Sequence, residues 1–140
     1  MSATGRSVPK GARGSLLLRV LRPEDARAAA PRNDRQPCPG LWKTPVIRWD
    51  GALMACCADV DGEIPVGNLR DASFEALWFG ERMRAYRLLH VQGRFDAMPK
   101  CGDCGGINFY KMDPGEVLAF LAEEDRMDLW EAYRRRLGLP

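Results

Sequence analysis

Four cysteines in two distant pairs carry the chemistry that this sequence could perform. Cys38 and Cys56 flank a short apolar stretch, and Cys101 and Cys104 form a CxxC in the glycine-rich segment 100–106. A CxxC in such a turn lets two thiolates bind one centre, and a distant second pair completes a four-thiolate shell. The pattern therefore predicts a metal or iron–sulfur site with these four cysteines as its ligands.

Three interpretations fit the four thiols. Buried cysteines can pack as small, inert apolar side chains, although Cys101 and Cys104 lie in a glycine-rich loop rather than on an apolar face. Zinc binds four thiolates well, and so does an iron–sulfur cluster, so ligand softness alone does not separate the two. We favour the iron–sulfur cluster and retain zinc as the alternative. Lys100 and Arg48 are the candidate cations that would offset the negative charge of a four-thiolate centre.

The remaining candidate residues have simpler explanations. Adjacent strand residues point to opposite faces, so Cys56 is predicted as the ligand and Cys57 as a packing residue. The only histidine, His90, is predicted on a helix surface. The acidic segment 59–63 lacks the final glutamate of an EF-hand loop and is predicted as a solvated turn. Trp49 is a candidate cover for the site.

The segments around the first cysteine pair predict a small hairpin. Apolar runs at 45–49 and 52–56 flank Asp50-Gly51. This pair is a strong hairpin signal, because a type I′ turn needs positive φ. The hairpin would bring the first cysteine pair toward one end of a small sheet, and residues 66–69 are predicted to turn the chain again.

Helices are predicted around this hairpin. Ser73 is the expected N-cap of a short helix, and a second helix covers about 81–92. The pair Asp113-Pro114 marks another helix start, and a last helix covers 125–137. The predicted fold class is α+β, with a small hairpin sheet and short helices around a four-cysteine site, and a C-terminal helical extension.

Composition divides the chain into three parts. The 140 residues fit one domain with a modest core. Residues 1–36 are predicted as a basic, largely disordered leader with one short strand at 15–20 and one short helix at 23–30. Residues 37–112 form the cluster domain and residues 113–140 the C-terminal helices.

Charge and hydropathy exclude several classes of partner. The formal net charge of +2 gives no general attraction to nucleic acid or to a membrane. No apolar run reaches the length of about 18 residues that marks a membrane span, and residues 16–18 are too short for a signal peptide. The chain is therefore predicted to be cytoplasmic, where five cysteines favour metal binding over disulfides.

Residues 37–112 resemble the SPASM/twitch domain that follows the barrel of many radical S-adenosylmethionine (SAM) enzymes. The shared motifs, in order, are Cys38, the Asp50-Gly51 hairpin, Cys56-Cys57, Gly67-Asn68-Leu69, the segment from Ser73 to Trp78, and the CxxC of Cys101 and Cys104. The resemblance implies that the cysteines at 38, 56, 101 and 104 ligate an auxiliary [4Fe–4S] cluster.

Two departures from that family limit the expected activity. No cysteine follows Cys104, which is similar to the shorter, single-cluster twitch form. No CxxxCxxC occurs in the sequence, so the SAM-cleaving cluster of the family would have no ligands here. The chain alone is therefore not expected to perform the radical step.

The expected function is an auxiliary cluster module that transfers electrons or positions a substrate for a radical SAM enzyme. Its partner would be the core of that enzyme or a peptide substrate, and neither nucleic acid nor a membrane is expected. One alternative is a zinc- or cluster-stapled module that binds a protein or peptide, and another is a fragment of a longer radical SAM enzyme. No P-loop, dinucleotide fingerprint or Ser/His/Asp set indicates a different enzyme class.

Overall fold

A computed structural model describes residues 35–104 and 111–140 of the chain. Within these ranges the strands are β1 (Val46–Ile47), β2 (Ala52–Met54) and β3 (Pro65–Asn68), and the helices are α1 (Gly40–Lys43), α2 (Phe74–Trp78), α3 (Glu81–Val91), α4 (Pro114–Glu123) and α5 (Trp130–Leu137). Short 3₁₀ turns cover Phe95–Ala97 and Met127–Leu129. The predicted α+β class is confirmed.

The sheet has three antiparallel strands in the order β1-β2-β3. The prediction of a simple turn over 66–69 is wrong, because Gly67 pairs with Leu53 in the centre of β3. A Cβ at this position would lie 2.5 Å from Cδ2 of Leu77, so any larger residue would force the Leu77 side chain to move. Helix α2 thus lies close against β3 at Gly67, a contact that no local pattern encodes.

The predicted hairpin is present, but its turn differs from the predicted type I′ turn. The N–H of Gly51 donates to the carbonyl of Arg48 over 2.9 Å, and the N–H of Arg48 donates to the carbonyl of Ala52 over 2.9 Å. Gly51 has a φ of 83°, whereas Asp50 is not among the described residues with positive φ. The connection is thus a three-residue loop closed by a left-handed glycine, as in the next most common hairpin class.

Two of the predicted helix starts are confirmed by their caps. The Ser73 hydroxyl accepts from the N–H of Ala76 over 3.2 Å at the start of α2. The Asp113 carboxylate accepts from the N–H of Gly115 over 2.7 Å at the start of α4. The last predicted helix is divided into a 3₁₀ turn and α5.

Helix α3 joins two hydrophobic clusters. The first surrounds the sheet and contains Leu41, Leu53, Ala55, Ile64, Val66, Trp78, Met83, Tyr86, Leu89, Phe95, Met98 and Cys101. The second joins the C-terminal helices and contains Val91, Met112, Val117, Phe120, Leu121 and Tyr133. Trp42 packs against both. The C-terminal helices therefore pack on the end of the helix that forms one wall of the sheet cluster.

Residues 1–34 of the predicted leader, with its strand at 15–20 and helix at 23–30, lie outside the described residues. Its last two residues, Arg35 and Gln36, are described and half-buried. The three predicted domain boundaries stay predictions. Across the described ranges, no helix combines the length and the apolar character needed to cross a lipid bilayer.

Candidate metal–sulfur site

One cavity, open to solvent, brings together the four cysteines predicted as ligands. Cys38 precedes α1, Cys56 follows β2, and Cys101 and Cys104 follow the first 3₁₀ turn. The cavity encloses about 380 Å³, including space that is open to solvent. The fold therefore places the two distant pairs around one space, and their role as ligands stays a prediction.

The fifth cysteine differs from the other four in exposure and position. Cys101 is buried, its three cavity partners are half-buried, and Cys57 is exposed and does not line the cavity. In the described part of the chain, no three His, Cys, Asp or Glu side chains form a group that could hold one metal ion. The four thiols therefore surround a space rather than converge on one point.

Burial favours the protonated form of three of the cavity thiols, those of Cys38, Cys56 and Cys101. It raises the pKa of Cys101 to about 12, with the neighbouring thiols adding to the effect. Burial also raises the pKa values of Cys38 and Cys56. Nucleophilic cysteines have lowered pKa values instead, so these three are poorly suited to covalent catalysis. Metal binding would displace their protons, because the thiolate is the ligand.

Backbone N–H groups already point at two of the sulfur atoms. The N–H of Ala58 donates to Sγ of Cys56 over 3.3 Å. Backbone hydrogen bonds from Gly40 and Leu41 lower the pKa of Cys38 against the larger effect of burial. Each donor follows its cysteine by two or three residues. Such N–H···S bonds favour the thiolate and tune bound metal–sulfur centres.

Arg35 anchors the CxxC loop, and the sequence analysis missed it. Its guanidinium donates to the carbonyls of Cys101 and Gly102, each over 2.8 Å. It also lies over the ring of Phe95 at 4.4 Å from the centroid. An arginine in a basic segment rich in proline and glycine resembles a solvated residue, so no sequence signal could have identified this contact.

Lys100 lines the cavity immediately before Cys101. Its φ of 69° lies in the left-handed region, which is uncommon for a residue other than glycine. Its ammonium pairs with Asp61 at 2.6 Å and with Glu63 at 3.0 Å. These pairs connect the CxxC loop to the loop after Cys56. The other predicted cation, Arg48, instead donates to the carbonyl of Val60 over 3.4 Å.

The acidic segment 59–63 is more than the predicted solvated turn, because Asp59 is only 3% exposed. Its carboxylate accepts from the N–H groups of Glu63 and Ile64, each over 2.8 Å. These bonds close the loop between Cys56 and β3. The prediction is therefore wrong for Asp59, whose partners lie four and five residues further along the chain.

His90 is buried, so its predicted place on a helix surface is also wrong. It is 1% exposed, it lines the cavity, and its ring packs edge-to-face on Phe95. Its Nδ1 accepts from the N–H of Cys38 over 3.1 Å. Burial lowers the pKa of His90 to about 3. The helical spacing of His90 from the buried residues Met83 and Tyr86 on α3 was the sequence signal that could have indicated its burial.

Trp49 does not cover the site. It lies in the hairpin loop and is 92% exposed. The first turn of α1 and the segment after β2 form the apolar part of the cavity lining instead, with Leu41, Ala55 and Ile64. The hairpin thus positions Cys56 without shielding it.

The residues of this cavity fit a metal–sulfur centre. By donor type, four soft sulfurs suit iron–sulfur clusters and zinc, although in the described part of the chain they do not converge on a single ion. The N–H groups directed at Cys38 and Cys56 supply the hydrogen bonds that such centres use. Arg35 places a positive charge beside the CxxC, which would offset an anionic centre, whereas the charge of Lys100 is already paired with Asp61 and Glu63.

Comparison with known families gives one match. Residues 38–105 match the model of SPASM, described as an iron–sulfur cluster-binding domain. Searches of curated proteins and of solved structures found no match to the chain. The matched range begins at the first cavity cysteine and ends one residue after the last.

Proposed function

We propose, from the match of residues 38–105 to the SPASM iron–sulfur cluster-binding domain, that Cys38, Cys56, Cys101 and Cys104 bind one [4Fe–4S] cluster. We propose further that the domain serves a radical SAM enzyme as an auxiliary electron-transfer or substrate-positioning unit. The partner would be the core of that enzyme or its peptide substrate, in the reducing cytoplasm.

One observation carries this proposal: of the five cysteines inside the matched range, the four predicted as ligands line the same cavity. In a four-cysteine cluster each thiolate binds a different iron, so the ligands must surround a space. The described thiols have this arrangement, although Cys38 and Cys101 are far apart in sequence. Cys57, which lies outside the cavity, is left free of this role.

When bound, such a cluster supplies one-electron transfer at a potential that the surrounding protein sets. The chain contributes four thiols, N–H donors to the sulfurs, and apolar side chains such as Leu41 and Ile64 that restrict water. Because the cavity opens to solvent, a partner protein or substrate could approach the sulfur side. The sequence lacks CxxxCxxC, so SAM cleavage would belong to the partner.

Metal analysis tests the identity of the centre. Protein purified without oxygen should be brown and should contain about four iron and four sulfide per chain, the composition of this cluster. Iron, acid-labile sulfide and zinc are measured on the same sample. A colourless protein that retains one zinc after anaerobic reconstitution with iron and sulfide would contradict the proposal.

A SAM cleavage assay tests the auxiliary role. Reconstituted protein incubated with SAM and a strong reductant should produce no 5′-deoxyadenosine above a control without protein, since all four cavity thiols are committed to one cluster. Adding a radical SAM core that lacks its own auxiliary domain should restore or increase product formation. Formation of 5′-deoxyadenosine by the chain alone would contradict the proposal that the partner, rather than this chain, cleaves SAM.

A second candidate function is a module that is stabilised by a bound metal and that binds a protein or peptide. Exposed apolar side chains on the hairpin and the loop after Cys56 favour it: Ile47 is 53%, Trp49 is 92% and Val60 is 76% exposed. This candidate would replace the first if the protein bound zinc and had no effect on any radical SAM core.

A further inference from the structure

The two ring nitrogens of the buried His90 differ, because within the described residues one of them has a hydrogen-bond partner and the other has none. Nδ1 accepts the N–H of Cys38 over 3.1 Å. A ring nitrogen that accepts a hydrogen bond from an amide carries no proton, so the neutral ring holds its proton on Nε2. His90 therefore presents Nε2–H as a donor.

This donor has no hydrogen-bond partner among residues 35–104 and 111–140, although it is fully buried. Leaving a buried donor unpaired costs about 1–3 kcal/mol, and native proteins rarely keep one without a reason. The ring carrying it lines the same cavity as the four cysteines. A bound acceptor on the side of the cavity that His90 lines is therefore a candidate partner for Nε2–H.

We propose that His90 is a positioning residue that donates its Nε2–H to a sulfur of the iron–sulfur centre held by the four cysteines. This proposal rests on the proposed cluster and adds a residue that the ligand pattern does not contain. His90 would act at two points, holding the backbone of Cys38 through Nδ1 and donating to a sulfur through Nε2.

A donor at this position should raise the reduction potential of the centre. Reduction adds negative charge to the sulfur atoms, so a hydrogen bond to sulfur stabilises the reduced form more than the oxidised form. No proton is transferred, because the bond only redistributes charge. His90 would thus favour electron acceptance.

Two substitutions separate the two nitrogens. In His90→Asn the amide oxygen can take the place of Nδ1 and accept from Cys38, but the shorter side chain lacks a donor at the Nε2 position. In His90→Gln the longer side chain can place its amide N–H near the position of Nε2. Tyr133→Phe is the matched control, because it removes another buried polar atom, in the second hydrophobic cluster, that has no hydrogen-bond partner in the described part of the chain.

Reduction potentials are measured by EPR-monitored titration, after iron and sulfide analysis of each protein. At a fixed applied potential, His90→Asn should lower the ratio of reduced to oxidised centre about tenfold. This corresponds to a reduction potential about 59 mV lower for a one-electron couple. His90→Gln should lower the reduction potential less, and Tyr133→Phe should leave the potential unchanged. A normally loaded His90→Asn protein with the wild-type potential would overturn the proposal.

A spectroscopic measurement on the wild-type protein covers the case in which His90→Asn fails to load. Pulsed EPR of the reduced centre, in protein carrying isotope-labelled histidine, should detect weak coupling to an exchangeable proton on Nε2. Strong coupling to the nitrogen itself would make His90 a ligand and would overturn the proposal, as would the absence of coupling. A wild-type protein that binds no iron–sulfur cluster would instead refute the proposed function, so the two failures are distinguishable.

Discussion

Replacing Cys101 with alanine should remove most of the bound metal and lower the thermal unfolding midpoint to that of the metal-free wild-type protein. Cys101 is the most buried of the cavity thiols, so no solvent-exposed group can take its place. A structural metal contributes on the order of 10 kcal/mol to folding. The total stability of a small domain is only about 5–15 kcal/mol.

Cys57→Ala is the matched control, since this exposed cysteine adjoins Cys56 without lining the cavity. Its metal content and unfolding midpoint should stay close to those of the wild-type protein. The Cys56→Ala, Cys57→Ala and wild-type proteins are purified without oxygen and compared by metal analysis and calorimetry. Equal metal loss from Cys57→Ala and Cys56→Ala would contradict the assignment of ligands.

Replacing Asp59 with alanine should lower the free energy of unfolding by about 3 kcal/mol, because hydrogen bonds to a charged group contribute about 1.5–3 kcal/mol each. The carboxylate binds the N–H groups of Glu63 and Ile64, each over 2.8 Å. Losing it leaves the buried N–H of Ile64 without its acceptor. The loop that follows Cys56 should also loosen, so metal loading should fall. Urea unfolding with metal analysis measures both effects.

Asp61→Ala is the control for this prediction. Asp61 lies in the same loop, but its carboxylate is exposed and pairs with Lys100 at the surface, where ion pairs contribute little. Its unfolding free energy should therefore change much less than that of Asp59→Ala. Equal losses in the two variants would mean that the exposed charges, rather than the buried carboxylate, hold the loop.

Much of the local structure follows from the sequence. Ser73 and Asp113 specify helix starts, because their side chains reach N–H groups two or three residues away. The pair Asp50-Gly51 specifies the hairpin, although the loop is one residue longer than predicted. The spacing of the cysteines likewise indicated a four-thiolate site before any fold was known.

Other features depend on contacts between residues that are distant in sequence. Leu77 packs over Gly67 of strand β3, and this contact has no signature in the four residues of the strand. Arg35 reaches carbonyls 66 and 67 residues away, so its position in a basic segment predicted the opposite environment. Such contacts are properties of the packed chain rather than of neighbouring residues.

The sequence by itself determined which side chains could bind a metal, because thiol chemistry and a CxxC turn are local properties. The tertiary structure decided which groups surround those thiols. It buried His90 against Phe95 and directed Nδ1 to Cys38, 52 residues away. It also turned Asp59 inward to close a loop. Burial and the pairing of distant polar groups are properties of the packed chain, and spacing along the sequence does not encode them.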